Sequence, residues 1–260
     1  MLEVQPIHAF NDNYIWLIKA PNQQTCWVVD PGDAAPVQNY LKTANLTLEG
    51  ILLTHHHYDH IDGVAELAKQ GVEVVGFAKD AKRLPTLTQA VQQGATFDLL
   101  GQSVEVMEVP GHTLGHIVYF IKNEHQPLLF SGDTLFAAGC GRMFEGTPEQ
   151  MQASLQSLAE LPENTLVFAA HEYTLSNLKF ALQVEPNNTA LQARMLESTK
   201  LREANQPTLP SNIGIELATN PFLRLNQPEV LASLQARQPN ANLSAPAEAF
   251  KILRSWKDTA

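Results

Sequence analysis

The chain has 260 residues, 44% of them hydrophobic, which is long enough for one large domain, or a main domain with an appendage, and for a sizeable buried core. Lys and Arg number 17 against 27 Asp and Glu, a net charge of −10. That balance disfavours a nucleic-acid backbone as partner, because phosphate binding needs a basic surface, and it requires any anionic small molecule to find a local basic patch.

In chain order, residues 14–19 and 26–29 read as two strands joined through Pro21-Asn22-Gln23-Gln24, a hairpin by length and turn chemistry. Asp30-Pro31-Gly32-Asp33 breaks the sheet, and Val37, Tyr40 and Leu41 then have helical spacing, with Asp33 as cap and Pro36 in the first turn. A strand over 50–53 leads into Thr54-His55-His56-His57-Tyr58-Asp59-His60; a short helix through Val64, Leu67 and Ala68 and a strand over 72–77 follow. Strand and helix alternate, an α/β pattern. Residues 79–102 give no clear periodicity, with turns expected at Gly94 and Gly101; short β segments return at 104–109, 117–121 and 128–130. Thr147-Pro148-Glu149 opens a helix continued by Met151, Leu155 and Leu158, and 165–169 is the last strand expected. Beyond it the texture is helical: Leu175, Leu178, Ala181 and Leu182, then 191–203, 228–236 and 246–256. A boundary is therefore placed near residue 173, giving an α/β domain over 1–173 and a helical domain over 174–260, with no internal repeat.

Cys26 and Cys140 make no disulfide framework and are expected as buried free thiols of a reducing compartment. The opening Met1-Leu2-Glu3-Val4 lacks the cationic head and apolar core of a signal peptide, and no apolar stretch approaches the roughly eighteen residues of a membrane span. The expectation is a cytoplasmic monomer with neither membrane nor nucleic acid as partner.

Four histidines and an acid fall within residues 55–60, directly after the apolar run Ile51-Leu52-Leu53. Imidazole is the commonest protein ligand for zinc-like ions. If the chain stays extended, 55, 57 and 59 point to one side and 56 away, so His56 is the poorest ligand. Asp59 and His60 cannot share that face without a turn, which suggests two groups of donors and two metals. His112, Asp133 and His171 each follow an apolar run in the same manner, and functional groups gather where strand ends open into loops. The donor set is His55, His57, Asp59, His60, His112, Asp133 and His171. It divides as three plus three with one carboxylate shared, and Asp133 is the natural bridge because a carboxylate has an oxygen for each cation. His8, His116 and His125 stay outside the set, with His116 orienting the loop.

These stretches, with Pro110-Gly111-His112-Thr113-Leu114-Gly115-His116, Ser131-Gly132-Asp133-Thr134-Leu135-Phe136, Gly139-Cys140-Gly141-Arg142, Glu145-Gly146-Thr147, His171-Glu172-Tyr173-Thr174, Phe10-Asn11-Asp12-Asn13-Tyr14 and Asn220-Pro221-Phe222-Leu223-Arg224, resemble the hydroxyacylglutathione hydrolase (glyoxalase II) family of the metallo-β-lactamase superfamily over nearly the whole chain. The histidine cluster alone is similar only to the superfamily; the Cys-Gly loop and helical tail carry the narrower resemblance. It implies a four-layer αββα sandwich followed by a small helical substrate-binding domain. One metal would be held by His55, His57 and His112, the other by Asp59, His60 and His171, with Asp133 and a hydroxide bridging. Zinc is the usual ion, and the donors also suit iron or manganese. The implied reaction is hydrolysis of the thioester S-D-lactoylglutathione to D-lactate and glutathione, the second step of methylglyoxal detoxification. The implied substrate contacts are Arg142, Tyr173, Arg254 and Lys257. Two departures stand out: Phe144 where some members have Tyr, and Asp62-Gly63 where Gly-Gly is usual.

The chemistry agrees with that resemblance. Two divalent cations lower the pKa of bridging water from about 15.7 towards about 7, and a tetrahedral oxyanion forms beside a cation. The leaving thiolate has a solution pKa of about 8.5, so no strong general acid is needed, and Asp59 is left to accept a proton from the nucleophile. A lactonase or β-lactamase would share the metals without using the cationic tail, and a persulfide dioxygenase would carry one iron. A nuclease would want a basic surface, and a metal-stabilised binding module would retain metal without hydrolysing any thioester.

Overall fold

The computed structural model describes residues 2–69, 71–123 and 125–260; Met1, where the leader-free reading begins, lies outside them. Its contacts divide the chain into one unit of Met1–Glu108 with Gly115–Gly132 and a second of Val109–Leu114 with Asp133–Ala260.

The first unit opens with β1 (Glu3–Ala9), β2 (Asn13–Lys19) and β3 (Thr25–Val29), followed by α1 (Ala34–Ala44) and β4 (Thr47–Leu52). Two one-turn helices, α2 (Tyr58–Ile61) and α3 (Val64–Leu67), lead to β5 (Glu73–Phe77) and β6 (Gln89–Val91). These strands form one sheet in the order β1-β2-β3-β4-β5-β6. The first three are antiparallel and the rest parallel. β7 (Thr96–Leu99), β8 (Gln102–Glu108), β9 (Ile117–Ile121) and β10 (Leu128–Gly132) make an antiparallel meander. Ile15, Leu17, Val28, Ile51 and Leu53 face Val37, Val64 and Leu67 in one core. β2 is buried almost throughout, as expected of a strand covered on both faces. Across to the meander, the buried Tyr119 hydroxyl of β9 donates to the Leu53 carbonyl at 2.8 Å, tying the two sheets of this unit together.

The second unit holds the short pair β11 (Leu135–Phe136) and β12 (Gly139–Cys140), then α4 (Pro148–Ala159) and β13 (Leu166–Ala169). Next come α5 (Thr174–Val184), α6 (Thr189–Glu203), β14 (Ser211–Asn212) and α7 (Ile213–Thr219), and finally α8 (Pro228–Arg237) and α9 (Pro246–Asp258).

Local chemistry sets many of these boundaries. The Asp33 side chain accepts from the Ala35 amide to start α1, and Asn45 in the left-handed region ends it. Thr147 and Gln150 form a capping box on α4, whose first residue is a proline. β1 was not expected, because its alternation of exposed and half-buried residues includes Pro6 and His8 and marks an edge strand. The stretch 79–102 resolves into a turn of 3-10 helix over Ala78–Asp80 and two short strands, with Gly94 and Gly101 at positive φ. The 174–260 segment is helical apart from β14, too short for periodicity to reveal; it pairs antiparallel with β13, and its Asn212 caps α7.

Candidate metal centre

Four of the expected ligands follow β4 in the first unit. Asp30, in the left-handed region just after β3, is buried and organises them. Its carboxylate accepts from the Thr54 amide at 2.8 Å and the Thr54 hydroxyl at 2.6 Å, and faces His60 Nδ1 at 3.0 Å. Because the Thr54 hydroxyl proton goes to Asp30, Thr54 Oγ1 must accept from His55 Nδ1, 3.0 Å away. Both His55 and His60 are thereby held with the proton on Nδ1 and the Nε2 lone pair presented, the device that orients metal-binding imidazoles. His55 Nε2 lies 3.1 Å from His57 Nδ1. Asp30, His55 and His60 have donor atoms within 4.8 Å of one another, but the oxygens of Asp30 are taken by these contacts, so it reads as a support.

The extended course assumed from sequence ends at His57, the residue that precedes α2. Asp59 and His60 are helical and leave in different directions, which is the turn that two donor groups require. Asp59 Oδ2 accepts from the buried Asn13 amide at 3.0 Å. His56 turns instead to Asp80, Nδ1 to Oδ2 at 2.9 Å, and Asp80 also binds Arg83. His116 is buried and stacks on His55, ring centres 4.7 Å apart. Asp62 has ordinary right-handed geometry (φ −64), so no glycine is needed there; at Gly63 a Cβ would stand 2.5 Å from the Pro31 carbonyl oxygen.

The other three ligands lie in the second unit and meet. Asp133, 7% exposed, places Oδ2 3.4 Å from His112 Nε2 and Oδ1 3.3 Å from His171 Nε2. His112 donates through Nδ1 to the Arg142 carbonyl at 2.8 Å, so its Nε2 lone pair faces the carboxylate. His171 stacks on Tyr173 with centres 4.7 Å apart, and Phe136 packs edge-on against both rings. Gly141 is required where it stands, since a Cβ would fall 1.9 Å from the Asp133 carbonyl oxygen. Imidazoles with fixed tautomers and a carboxylate presenting both oxygens are the donor chemistry that a zinc-like divalent ion takes, so the residues fit such ions.

The loop 134–140 is braced by Glu216 and Asn177, to which the sequence reading gave no role, and by Asn220, which it placed only in a stretch of family resemblance. Fully buried Glu216 accepts from the Ala138 amide at 2.8 Å and pairs with Arg194 at 2.6 Å. The Asn220 side chain donates to the Gly139 carbonyl at 2.9 Å, and that of Asn177 to Ala137 at 3.0 Å. Ala138 sits at φ 54, a conformation that an alanine keeps only when surroundings impose it.

A cavity of about 520 Å³ in this unit is lined by His112, Asp133, Arg142, Tyr173, Arg254 and Lys257, among others. All four expected substrate contacts line it, beside two of the expected ligands. Arg254 is 4% exposed; its Nη1 donates to the Cys140 carbonyl at 3.0 Å, and the guanidinium lies 5.2 Å over the Phe222 ring. Lys257 donates to the Ser176 carbonyl at 3.3 Å. Burial, then the nearby Arg254, pushes its ammonium down to about 8. Both cysteines are buried thiols. Burial pushes Cys140 up to about 11 against the pull of Arg254, and Cys26 up to about 12, so neither is a nucleophile at neutral pH.

The metallo-beta-lactamase superfamily model matches residues 10–171, and the hydroxyacylglutathione hydrolase C-terminus model matches 172–260. The chain is 51% identical over 260 residues, 99% of each chain, to a protein named hydroxyacylglutathione hydrolase from Pseudomonas aeruginosa strain LESB58. Among solved structures, the BLEG-1 B3 metallo-beta-lactamase superposes with a TM-score of 0.63 at 23% identity, covering 86% of this chain and 99% of that one. TTHA1623, solved in a di-iron-bound form, gives 0.61 at 24% identity, covering 85% and 100%. The structures establish the metallo-β-lactamase fold, and the match over both segments goes further: the chain belongs to the hydroxyacylglutathione hydrolase family.

Proposed function

We propose that this protein hydrolyses S-D-lactoylglutathione to D-lactate and glutathione, the second step of methylglyoxal detoxification. The observation that carries this reading is the cavity that sets His112 and Asp133 beside Arg142, Arg254 and Lys257 in a chain of net charge −10. Glutathione has two carboxylates, and local guanidinium and ammonium groups are what bind them. The names of the family relatives support the same substrate.

His55, His57 and His112 would hold one ion and Asp59, His60 and His171 a second, with Asp133 shared; zinc is proposed, and iron and manganese suit the same donors. Bound there, such ions would make hydroxide available near neutral pH and offset the charge of the tetrahedral oxyanion. The chain's own residues do the rest. Thr54, Asp30 and the Arg142 carbonyl hold the imidazole tautomers. Asn13 donates to Asp59 Oδ2 and orients that carboxylate, the group proposed to accept a proton from the nucleophile. Arg142, Tyr173, Arg254 and Lys257 position the peptide arm. A thiolate leaving group, with a solution pKa of about 8.5, departs without a general acid.

Residues 1–173 are proposed as the catalytic segment and 174–260 as the substrate-binding segment, in a cytoplasmic monomer. Among the described residues no helix is long and apolar enough to cross a membrane. Parallel steady-state assays with S-D-lactoylglutathione, a homoserine lactone and a cephalosporin test the reading. Turnover confined to the thioester supports it, and turnover of the lactone or the cephalosporin in preference to the thioester overturns it.

A further inference from the structure

The end of α9 puts a carboxylate where a substrate carboxylate would bind. Asp258 Oδ1 lies 3.0 Å from Arg254 Nη2 and 3.7 Å from Arg142 Nε, and Asp258 lines the same cavity as both arginines and Lys257. Arg254 does not depend on it for its place, because the Cys140 carbonyl and the Phe222 ring already fix the guanidinium. The donor that Asp258 engages is Nη2, so a ligand carboxylate taking the place of Asp258 would meet the same nitrogen. The Asp258 side chain is 41% exposed and that of Arg142 68%, which leaves both able to swing, and ion pairs between such exposed groups are weak.

We propose that Asp258 is a built-in stand-in for a substrate carboxylate, pairing with Arg254 and Arg142 in the free protein and giving way when the glutathione arm arrives. This rests on the thioester reading above. A buried guanidinium left without a counter-charge is costly, and Asp258 removes that cost between turnovers. Binding then exchanges one carboxylate for another, which limits affinity for substrate and product alike and favours release of glutathione.

Calorimetric titration of the full chain with glutathione tests this, comparing wild type, Asp258→Asn and Asp258→Glu. The titration is run at about pH 6.5, well below the Lys257 titration, because Asp258 also helps keep that ammonium charged. Asp258→Asn is expected to bind glutathione about three- to tenfold more tightly, and Asp258→Glu to stay near wild type. A glutathione analogue with both carboxylates amidated should show no gain. Equal or weaker glutathione binding by Asp258→Asn, as a purely structural role would give, overturns the proposal, as does an equal gain with the diamide. Failure of the thioester reading is seen separately, as wild-type protein that does not hydrolyse S-D-lactoylglutathione.

Discussion

Asp133 is the residue with the most to lose. It sets one carboxylate oxygen against each of two imidazoles, so Asp133→Ala should remove the paired metal site and lower turnover by at least about a thousandfold. Elemental analysis alongside kcat checks this, and full metal content with full rate would remove Asp133 from its role. Lys257 gives a prediction with a sign. Its folded-state pKa is depressed to about 8, so the ammonium is present below that pH and lost as pH rises through it. KM for the thioester should climb above pH 8, and Lys257→Ala should flatten that limb, because Arg254 stays charged throughout. At this scale the proposed ligands stood out because they follow apolar strands and carry side chains with little other use there. Asp30 follows the strand 26–29 in the same way, but a carboxylate that only supports a histidine leaves no separate mark in sequence. The same holds for Asp258, whose partners depend on how a helix end is turned, while Asn13 was marked only by its place in a stretch of family resemblance.

At the scale of elements, α7 braces the loop that follows Asp133. Glu216 is fully buried and shared between Arg194 and the Ala138 amide, and removing one partner of a buried ion pair costs about 3–5 kcal/mol. Glu216→Ala should therefore lower stability by that order in urea unfolding, and it should release the Ala138 turn; unchanged stability would show that the loop holds itself. Periodicity and caps made most elements readable: α4 begins at the proline after its capping threonine, and α8 and α9 begin at their prolines. What escaped were pieces whose order comes from contacts. β1 is an edge strand half open to solvent, α2 is a single turn among the proposed ligands, and β14 is two residues long. None has enough repeats for a pattern to emerge above its local composition.

For the whole molecule, an acidic chain that binds an anion must rely on a few cations placed together, and such attraction is screened by salt. KM should therefore rise from low salt to about 1 M while stability changes little; a salt-independent KM would speak against the cationic cavity. Seven side chains are proposed to hold the ions. Ligand binding to the folded form alone adds about 4 kcal/mol at a thousandfold excess over Kd, so a chelator should lower the melting temperature of the whole chain. The most direct test of the dinuclear reading is a titration of zinc into chelator-stripped protein, recording hydrolysis of S-D-lactoylglutathione at each addition. The account predicts negligible hydrolysis at the start and a rise that levels off at two equivalents per chain. Full activity in the stripped protein, or a rise already complete at one equivalent, would contradict it.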